Sequence, residues 1–263
     1  DVASVAAALR EKYDVQPGDH IAILAANTPE WILTYWATVS LGAVVISMNG
    51  WWASDEIQYG LDLSKPKLLF VDKRRGERLD GLNVEAKVIS FEDDFDSLVQ
   101  YDREAGLPTI PIDEDAPCLL LFTSGTTGNP KAVTTARGQN LKVFDVWGRS
   151  VGLLPGDRYL FIMPFFRSFG YKSGWLACII HGATALPEPV FSVGPTMARI
   201  EREKITVMPG SPTIYQSMLA FPDRKNYDTS SLRLAVTGGA AIPVELVHRM
   251  RSELGFRDVT TAY

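Results

Sequence analysis

Residues 119–133 read LLLFTSGTTGNPKAV, an apolar run followed by small, hydroxyl-bearing and basic residues. The apolar part is typical of a buried β-strand. In the part that follows, glycines let the backbone turn its N–H groups toward an oxyanion, hydroxyl groups donate further hydrogen bonds, and Lys131 supplies a positive charge. Together these residue types predict a loop that binds a polyphosphate. The candidate phosphate-binding residues are Thr123, Ser124, Gly125, Thr126, Thr127, Gly128 and Lys131.

Two other interpretations of this loop compete with that prediction. Serine, threonine, glycine, asparagine and proline are ordinary turn residues, so a polar turn between two strands is the first alternative. The second is the common phosphate-loop consensus G-x-x-x-x-G-K-[ST], which is absent because Gly128 is followed by Asn129 and Lys131 by Ala132. No hydroxyl group therefore follows the lysine to hold magnesium, and no helix is expected to begin there.

The composition is that of a globular protein with a sizeable core. The chain has 263 residues, 46% of them hydrophobic and 22% charged, which suits one large or two moderate domains. A net charge of −5 and the absence of a Lys/Arg-rich tract argue against nucleic-acid binding. Cys118 and Cys178 lie in apolar runs and indicate reduced, buried thiols, while the three histidines show no zinc-like spacing.

Residues 31–54 carry no charge and are long enough for a transmembrane helix. Thr34, Thr38 and Ser40 dilute this stretch, and Gly42 divides it into a helical half and a β-branched half, so a buried helix followed by a core strand is the better interpretation. No membrane span is expected. The chain begins at Asp1 without a methionine or a signal peptide, and we predict a piece of a longer, cytoplasmic protein.

Strand-like and helix-like segments alternate along the whole chain, which predicts an α/β fold. We expect two similar subdomains of mostly parallel sheet flanked by helices, residues 1–155 and residues 156–263. The first subdomain would end with the phosphate-binding loop and the helix after it. Residues 94–105 are predicted to be helical, and residues 106–116 to form an extended connector.

The string TSGTTGNPK at residues 123–131, the signature loop, resembles the characteristic loop of the adenylate-forming (AMP-binding) superfamily, and in particular of acyl-CoA synthetases. The resemblance covers nearly the whole chain, which would be the large N-terminal part of such a protein, without the small C-terminal domain. It implies ATP, Mg²⁺ and coenzyme A as cofactors, with the magnesium ligand expected beyond residue 263. Family members usually have glycine and histidine where this chain has Ala132 and Arg137.

Residues 163–170, MPFFRSFG, are the pocket segment and follow a predicted strand end, where α/β proteins bind ligands. They resemble the family's P-x-x-H-x-x-G stretch, with Arg167 in the histidine position. An arginine attracts a carboxylate but does not shuttle a proton near neutral pH. The alternatives are a solvent-exposed arginine and phenylalanines that belong to the core. The candidate acyl-pocket residues are Phe166, Arg167, Phe169, Gly170 and Ser211, and Arg167 is also a candidate catalytic residue.

Residues 234–243, LAVTGGAAIP, are the adenine segment, in which a strand ends in small residues before a helix. Small residues let a flat ligand lie against the backbone, although a tight turn has the same composition. By resemblance, Gly238, Gly239 and Ala240 would lie along one face of adenine and Tyr263 would cover the other.

The resemblance implies an ATP-dependent carboxylate–CoA ligase acting on a hydrophobic acid, either fatty or ring-containing. We expect the 263 residues alone to be inactive, because the ribose and magnesium contacts would be missing. Two alternatives remain open: an adenylation enzyme that loads a carrier protein, and a non-catalytic nucleotide-binding module.

Overall fold

The computed structural model describes residues 1–111, 113–123 and 130–262. Six of the predicted site residues lie outside these ranges, namely Ser124, Gly125, Thr126, Thr127, Gly128 and Tyr263.

The strands are spread along the whole chain: β1 His20–Leu24, β2 Val44–Ser47, β3 Leu68–Val71, β4 Lys87–Ser90, β5 Pro117–Thr123, β6 Lys131–Ala136, β7 Arg158–Phe161, β8 Thr184–Pro187, β9 Val207–Gly210, β10 Leu234–Gly238 and β11 Asp258–Ala262. The helices alternate with them: α1 Val2–Tyr13, α2 Pro29–Ser40, α3 Ser54–Ser64, α4 Lys73–Gly76, α5 Phe95–Val99, α6 Arg137–Val151, α7 Ser168–Gly170, α8 Ala177–His181, α9 Val193–Glu203, α10 Pro212–Ala220 and α11 Val244–Leu254. A π-helical stretch, Tyr171–Leu176, joins α7 to α8.

The first compact unit comprises Asp1–Asn140 and Phe166–Ser168. Its six-stranded sheet has the order β4-β3-β1-β2-β5-β6, in which β5 and β6 pair antiparallel and the other neighbours pair parallel. Strands β2 and β3 are buried at every position, as expected for parallel strands covered on both faces. One core cluster on this sheet contains Ile46, Trp52 and Phe122.

The second compact unit comprises Leu141–Phe165 and Phe169–Tyr263. Its five-stranded sheet has the order β11-β10-β9-β7-β8, and every neighbouring pair is parallel. Helices α9, α10 and α11 contribute Met197, Met218 and Met250 to its core, and all three side chains are fully buried.

The predicted fold class, α/β with two mostly parallel sheets flanked by helices, is therefore confirmed. All strands of the first sheet precede residue 137 and all strands of the second follow residue 157. The predicted boundary after residue 155 stays a prediction. In the part of the chain that the structure describes, no helix has both the length and the apolar character needed to cross a bilayer.

The helix predicted at residues 94–105 is shorter than expected, because α5 covers only Phe95–Val99. Beyond it, the carboxylate of Asp102 accepts a hydrogen bond from the backbone N–H of Glu104 at 3.1 Å. Such a local side-chain bond stabilises a turn at the expense of a helix. The backbone N–H of Asp102 donates to Ser4 Oγ of α1 at 2.9 Å, which anchors the turn to that helix.

Candidate functional site

The signature loop joins β5 to β6, and its first and last residues lie within those strands. Thr123 is paired directly with Lys131 across the antiparallel ladder, and Thr123 Oγ1 donates a hydrogen bond to the Lys131 carbonyl at 3.3 Å. Directly opposite residues in such a ladder place their side chains on the same face of the sheet. Because β5 is parallel to β2, Thr123 lies at the carboxyl edge of the parallel strands, where α/β proteins commonly bind ligands.

The Lys131 side chain is exposed. Among the described residues, its ammonium group has no hydrogen-bond or ion-pair partner. A lysine held by a strand backbone, with no partner for its ammonium group in the described part of the chain, can act as a point charge for an anion.

Arg137, which stands in the family's histidine position, has structural contacts. Its guanidinium group donates hydrogen bonds to the carbonyl oxygens of Pro117, at 3.1 Å, and Ala43, at 3.4 Å. The side chain thereby links the start of α6 to the starts of β5 and β2. These contacts account for an arginine at this position without a role in catalysis.

The pocket segment contains two buried phenylalanines followed by a half-buried arginine. Phe165 is completely buried and packs edge-on against Phe161 and Trp175. Phe166 is also buried, and the guanidinium carbon of half-buried Arg167 lies 5.8 Å from the centroid of its ring, a cation–π distance. The alternative of phenylalanines in the core therefore holds for Phe165 and Phe166.

The loop between β2 and α3 contacts this segment, a contact that the sequence analysis did not find. The indole of Trp51 meets the ring of Phe166 edge-to-face, with ring centroids 5.1 Å apart. The two adjacent tryptophans in this loop, Trp51 and Trp52, could have suggested an aromatic contact. The sequence does not identify the residues that they contact.

Gly170 and Phe169 belong to the second unit, and the glycine has a packing role. A Cβ atom at residue 170 would lie 2.0 Å from the carbonyl oxygen of Pro164 and 2.5 Å from that of Met163. Both obstacles are backbone atoms, so they cannot move aside as a flexible side chain would.

Replacement of Gly170 by alanine is expected to lower the free energy of unfolding by about 1–3 kcal/mol, because the new methyl group overpacks a backbone contact. The measurement is urea unfolding of the full-length protein followed by circular dichroism. Gly106→Ala serves as a steric control, because a Cβ atom there meets nothing within 4 Å. Equal unfolding midpoints for Gly170→Ala and the wild type would contradict this role.

The adenine segment combines a packed glycine with an open one. A Cβ atom on Gly238 would lie 2.1 Å from the carbonyl oxygen of Ala262, so this glycine permits the close approach of β10 and β11. Gly239 has φ of +79°, which favours glycine, and no atom lies within 4 Å of the place where its Cβ would be. Ala240 is exposed beside it. An open cavity of about 630 Å³ is lined by Gly239, Ala240, Ala241, Ile242, Thr261 and Ala262.

This arrangement suits a flat ligand, because small side chains and exposed backbone border an open space. Ser211 lies elsewhere in the second unit, half-buried immediately before α10. Tyr263, the predicted second face of the adenine site, is outside the described residues.

The described residues contain no cluster of three or more His, Cys, Asp and Glu side chains that could bind a metal ion. They therefore offer no ligand set against which the expected Mg²⁺ can be fitted. Both cysteines are buried and not in disulfides, and burial raises the pKa of the Cys178 thiol well above its usual value, which keeps it protonated and unreactive.

Comparison with protein families decides the assignment. The model of the family described as AMP-binding enzyme matches residues 1–263. The chain belongs to the AMP-binding enzyme family.

This AMP-binding enzyme is similar to several curated ligases. It is 39% identical, over its whole length, to a 3-[(3aS,4S,7aS)-7a-methyl-1,5-dioxo-octahydro-1H-inden-4-yl]propanoyl:CoA ligase of Rhodococcus jostii, of which it spans 55%. It is 30% identical to a feruloyl-CoA synthase of an Amycolatopsis species, over 94% of this chain and 49% of that protein. The chain thus spans about half the length of the curated relatives that it matches.

Solved structures share the fold of this AMP-binding enzyme. The anthranilate CoA ligase AuaEII, solved with anthranoyl-AMP, superposes with a TM-score of 0.88 at 24% identity, over 98% of this chain and 52% of that one. The N-terminal domain of FACL13 from Mycobacterium tuberculosis superposes with a TM-score of 0.87 at 23% identity, over the whole of this chain and 66% of that one. At these identities the likeness supports the fold, two mostly parallel sheets with flanking helices.

Proposed function

We propose that the chain is the AMP-binding part of an ATP-dependent carboxylate–CoA ligase. The observation that carries the proposal is the hairpin of β5 and β6, which places the exposed Lys131 beside Thr123 at the ends of the signature loop. A 39% identical relative named as a CoA ligase supports the same reaction class.

In the proposed reaction, a carboxylate oxygen of the substrate attacks the α-phosphorus of ATP. The bond to the departing pyrophosphate breaks and an acyl-adenylate forms. The thiolate of coenzyme A then attacks the acyl carbon, and AMP leaves. We assign the signature loop, residues 123–131, to binding the β- and γ-phosphates and stabilising the negative charge that builds up on pyrophosphate.

The remaining predicted residues receive roles in the same reaction. Exposed Gly239 and Ala240 would contact adenine, while Gly238 would hold their strand against β11. Tyr263 would cover the opposite face of the base. Arg167 would attract the substrate carboxylate, with Phe166, Phe169, Gly170 and Ser211 around the acyl group. Bound Mg²⁺ would neutralise phosphate charge in this chemistry.

We further propose that the substrate is a ring-containing hydrophobic acid, from the two classes that the sequence left open. The support is the Rhodococcus relative, whose name describes a fused-ring propanoyl group, and the Amycolatopsis relative, named for a feruloyl group. The aromatic side chain of Phe166, with the guanidinium of Arg167 beside it, is compatible with an acid of this class. A cytoplasmic location, expected from the reduced cysteines, remains part of this proposal.

The test is pyrophosphate exchange by the full-length protein and by residues 1–263 alone, with a panel of linear and ring-containing carboxylic acids. We expect the full-length protein to exchange labelled pyrophosphate into ATP in the presence of ring-containing acids, and to form acyl-CoA when coenzyme A is added. The 263 residues alone should show no exchange above background, because the expected ribose and magnesium contacts are not among them. Robust exchange by the shorter protein would overturn that expectation, and no exchange by the longer one would overturn the function.

A further inference from the structure

The loop between β2 and α3 presents two neighbouring tryptophans in opposite environments. Trp51 is 65% exposed, whereas Trp52 is 4% exposed. Trp52 belongs to the core cluster under the first sheet. An exposed indole is a large apolar surface in water, so the conformation that holds Trp51 outward needs an explanation.

Two arginines fix the backbone of this loop. Arg75 Nε donates to the carbonyl oxygen of Gly50 at 3.0 Å, and Arg78 Nη1 donates to the carbonyl oxygens of Gly50 and Trp52, each at 3.0 Å. Arg75 is itself ion-paired with Asp72 at 2.6 Å, and both side chains are about one-tenth exposed. The loop is therefore held in one conformation by hydrogen bonds to charged groups, which are stronger than neutral ones.

The two indoles reach two different parts of the candidate site. Trp52 packs on Phe122, with ring centroids 4.8 Å apart, and Phe122 is the residue immediately before Thr123. Trp51 meets Phe166 edge-to-face at 5.1 Å and 87°. All of these residues belong to the first compact unit. A single rigid loop thus contacts both the strand that leads into the signature loop and Phe166 of the pocket segment.

Beside the aromatic pair lies the guanidinium group of Arg167, whose central carbon is 5.8 Å from the ring centroid of Phe166. An aromatic surface next to a positive charge is complementary to a molecule with an apolar ring at one end and a carboxylate at the other. Because hydrogen bonds already hold the backbone that carries Trp51, a ligand that covers its indole need not order this loop on binding.

We propose that Trp51 is a specificity-determining residue, which contacts the ring of the acid while Arg167 attracts its carboxylate. This inference rests on the proposed function, since it assigns Trp51 to the acyl group of that same reaction. The loop between β2 and α3 then belongs to the site, and Trp51 favours ring-containing acids over linear acids of equal carbon number.

The test compares 3-cyclohexylpropanoate with nonanoate, which have the same number of carbon atoms, in pyrophosphate exchange by the full-length enzyme. If the wild type uses neither, the best ring-containing and linear acids of equal size from the panel replace them. For Trp51→Leu we expect the ratio of kcat/KM for the ring-containing acid to kcat/KM for the linear acid to fall about tenfold, mainly through KM for the ring-containing acid. Trp51→Phe, which keeps an aromatic ring, should retain that ratio within about threefold.

Leu107→Ala is the control, because Leu107 is similarly exposed, at 63%, but lies in the connector before β5. It should change neither the ratio nor KM for ATP. An unchanged ratio in Trp51→Leu, with an active wild type, overturns this inference and leaves the proposed function intact. Equal losses for both acids together with a raised KM for ATP also overturn it, since they indicate a loop that only supports the fold. A full-length wild type without exchange for any acid overturns the proposed function itself.

Discussion

Replacement of Lys131 by alanine in the full-length protein is expected to lower the rate of pyrophosphate exchange by about 100- to 1,000-fold. The reason is electrostatic, because a preorganised positive charge is most valuable where negative charge builds up in the transition state. Folding should be unchanged, since the Lys131 side chain is exposed and its ammonium group has no partner among the described residues.

The measurement is initial-rate exchange at saturating ATP and acid, with circular dichroism to compare the folded content of wild type and variant. Lys142→Ala is the matched control, because Lys142 is another exposed lysine without an ion pair in the described chain, and it lies on α6. It should exchange at the wild-type rate. Exchange by Lys131→Ala at the wild-type rate would show that Lys131 has no role in the reaction.

The largest loss of stability is expected when Asp157, at the turn that leads into β7, is replaced. Its carboxylate, 6% exposed, accepts hydrogen bonds from the backbone N–H of Leu154 and from Thr206 Oγ1, each at 2.8 Å. It also accepts two from the guanidinium of Arg233, whose side chain is 13% exposed. Asp157 therefore ties the start of β7 to the residues that precede β9 and β10.

Asp157→Ala is expected to lower the free energy of unfolding by about 3–5 kcal/mol, because it leaves the Arg233 guanidinium buried without its counter-charge. Asp157→Asn, which keeps an acceptor for the backbone N–H of Leu154, should lower the free energy of unfolding by less. The measurement is urea unfolding of the full-length protein. Arg103→Ala removes the exposed ion pair with Asp1 and should leave the unfolding midpoint unchanged. A loss for Asp157→Ala no larger than that of this control would show that the buried network is dispensable.

Local sequence patterns predicted the elements that depend on local interactions. The helix expected after the signature loop is α6, and the helix expected after the small residues of the adenine segment is α11, which ends at Gly255 in the left-handed conformation. The strand that precedes the signature loop is β5, as its apolar run predicted. In each case the periodicity or end signal lies within the element, so no distant contact was needed to predict it.

Contacts between distant residues could not be predicted in the same way. The pairing of Trp51 with Phe166 joins residues 115 positions apart, and nothing in either segment identifies the other as its partner. Arg137 stands where family members usually have a histidine, and its hydrogen bonds go to the carbonyl oxygens of Pro117 and Ala43. Every residue carries a backbone carbonyl group, so the sequence does not show which carbonyl a side chain will contact. For the same reason, the sequence did not predict that Gly238 packs against the backbone of Ala262; it predicted only a ligand-binding glycine.

The antiparallel ladder of β5 and β6 has a consequence for how the sequence of the signature loop can vary. Residues Leu119 to Thr123 pair one-to-one with Thr135 to Lys131, so the ladder determines which face Lys131 occupies. A deletion of one residue within β6 would turn its side chain to the opposite face. The pairs are formed by the residues of the two strands, so a substitution between Thr123 and Lys131 alters none of them. Under the proposed function, one hydroxyl or glycine there can therefore replace another and change the contacts to a phosphate, while Lys131 keeps its position.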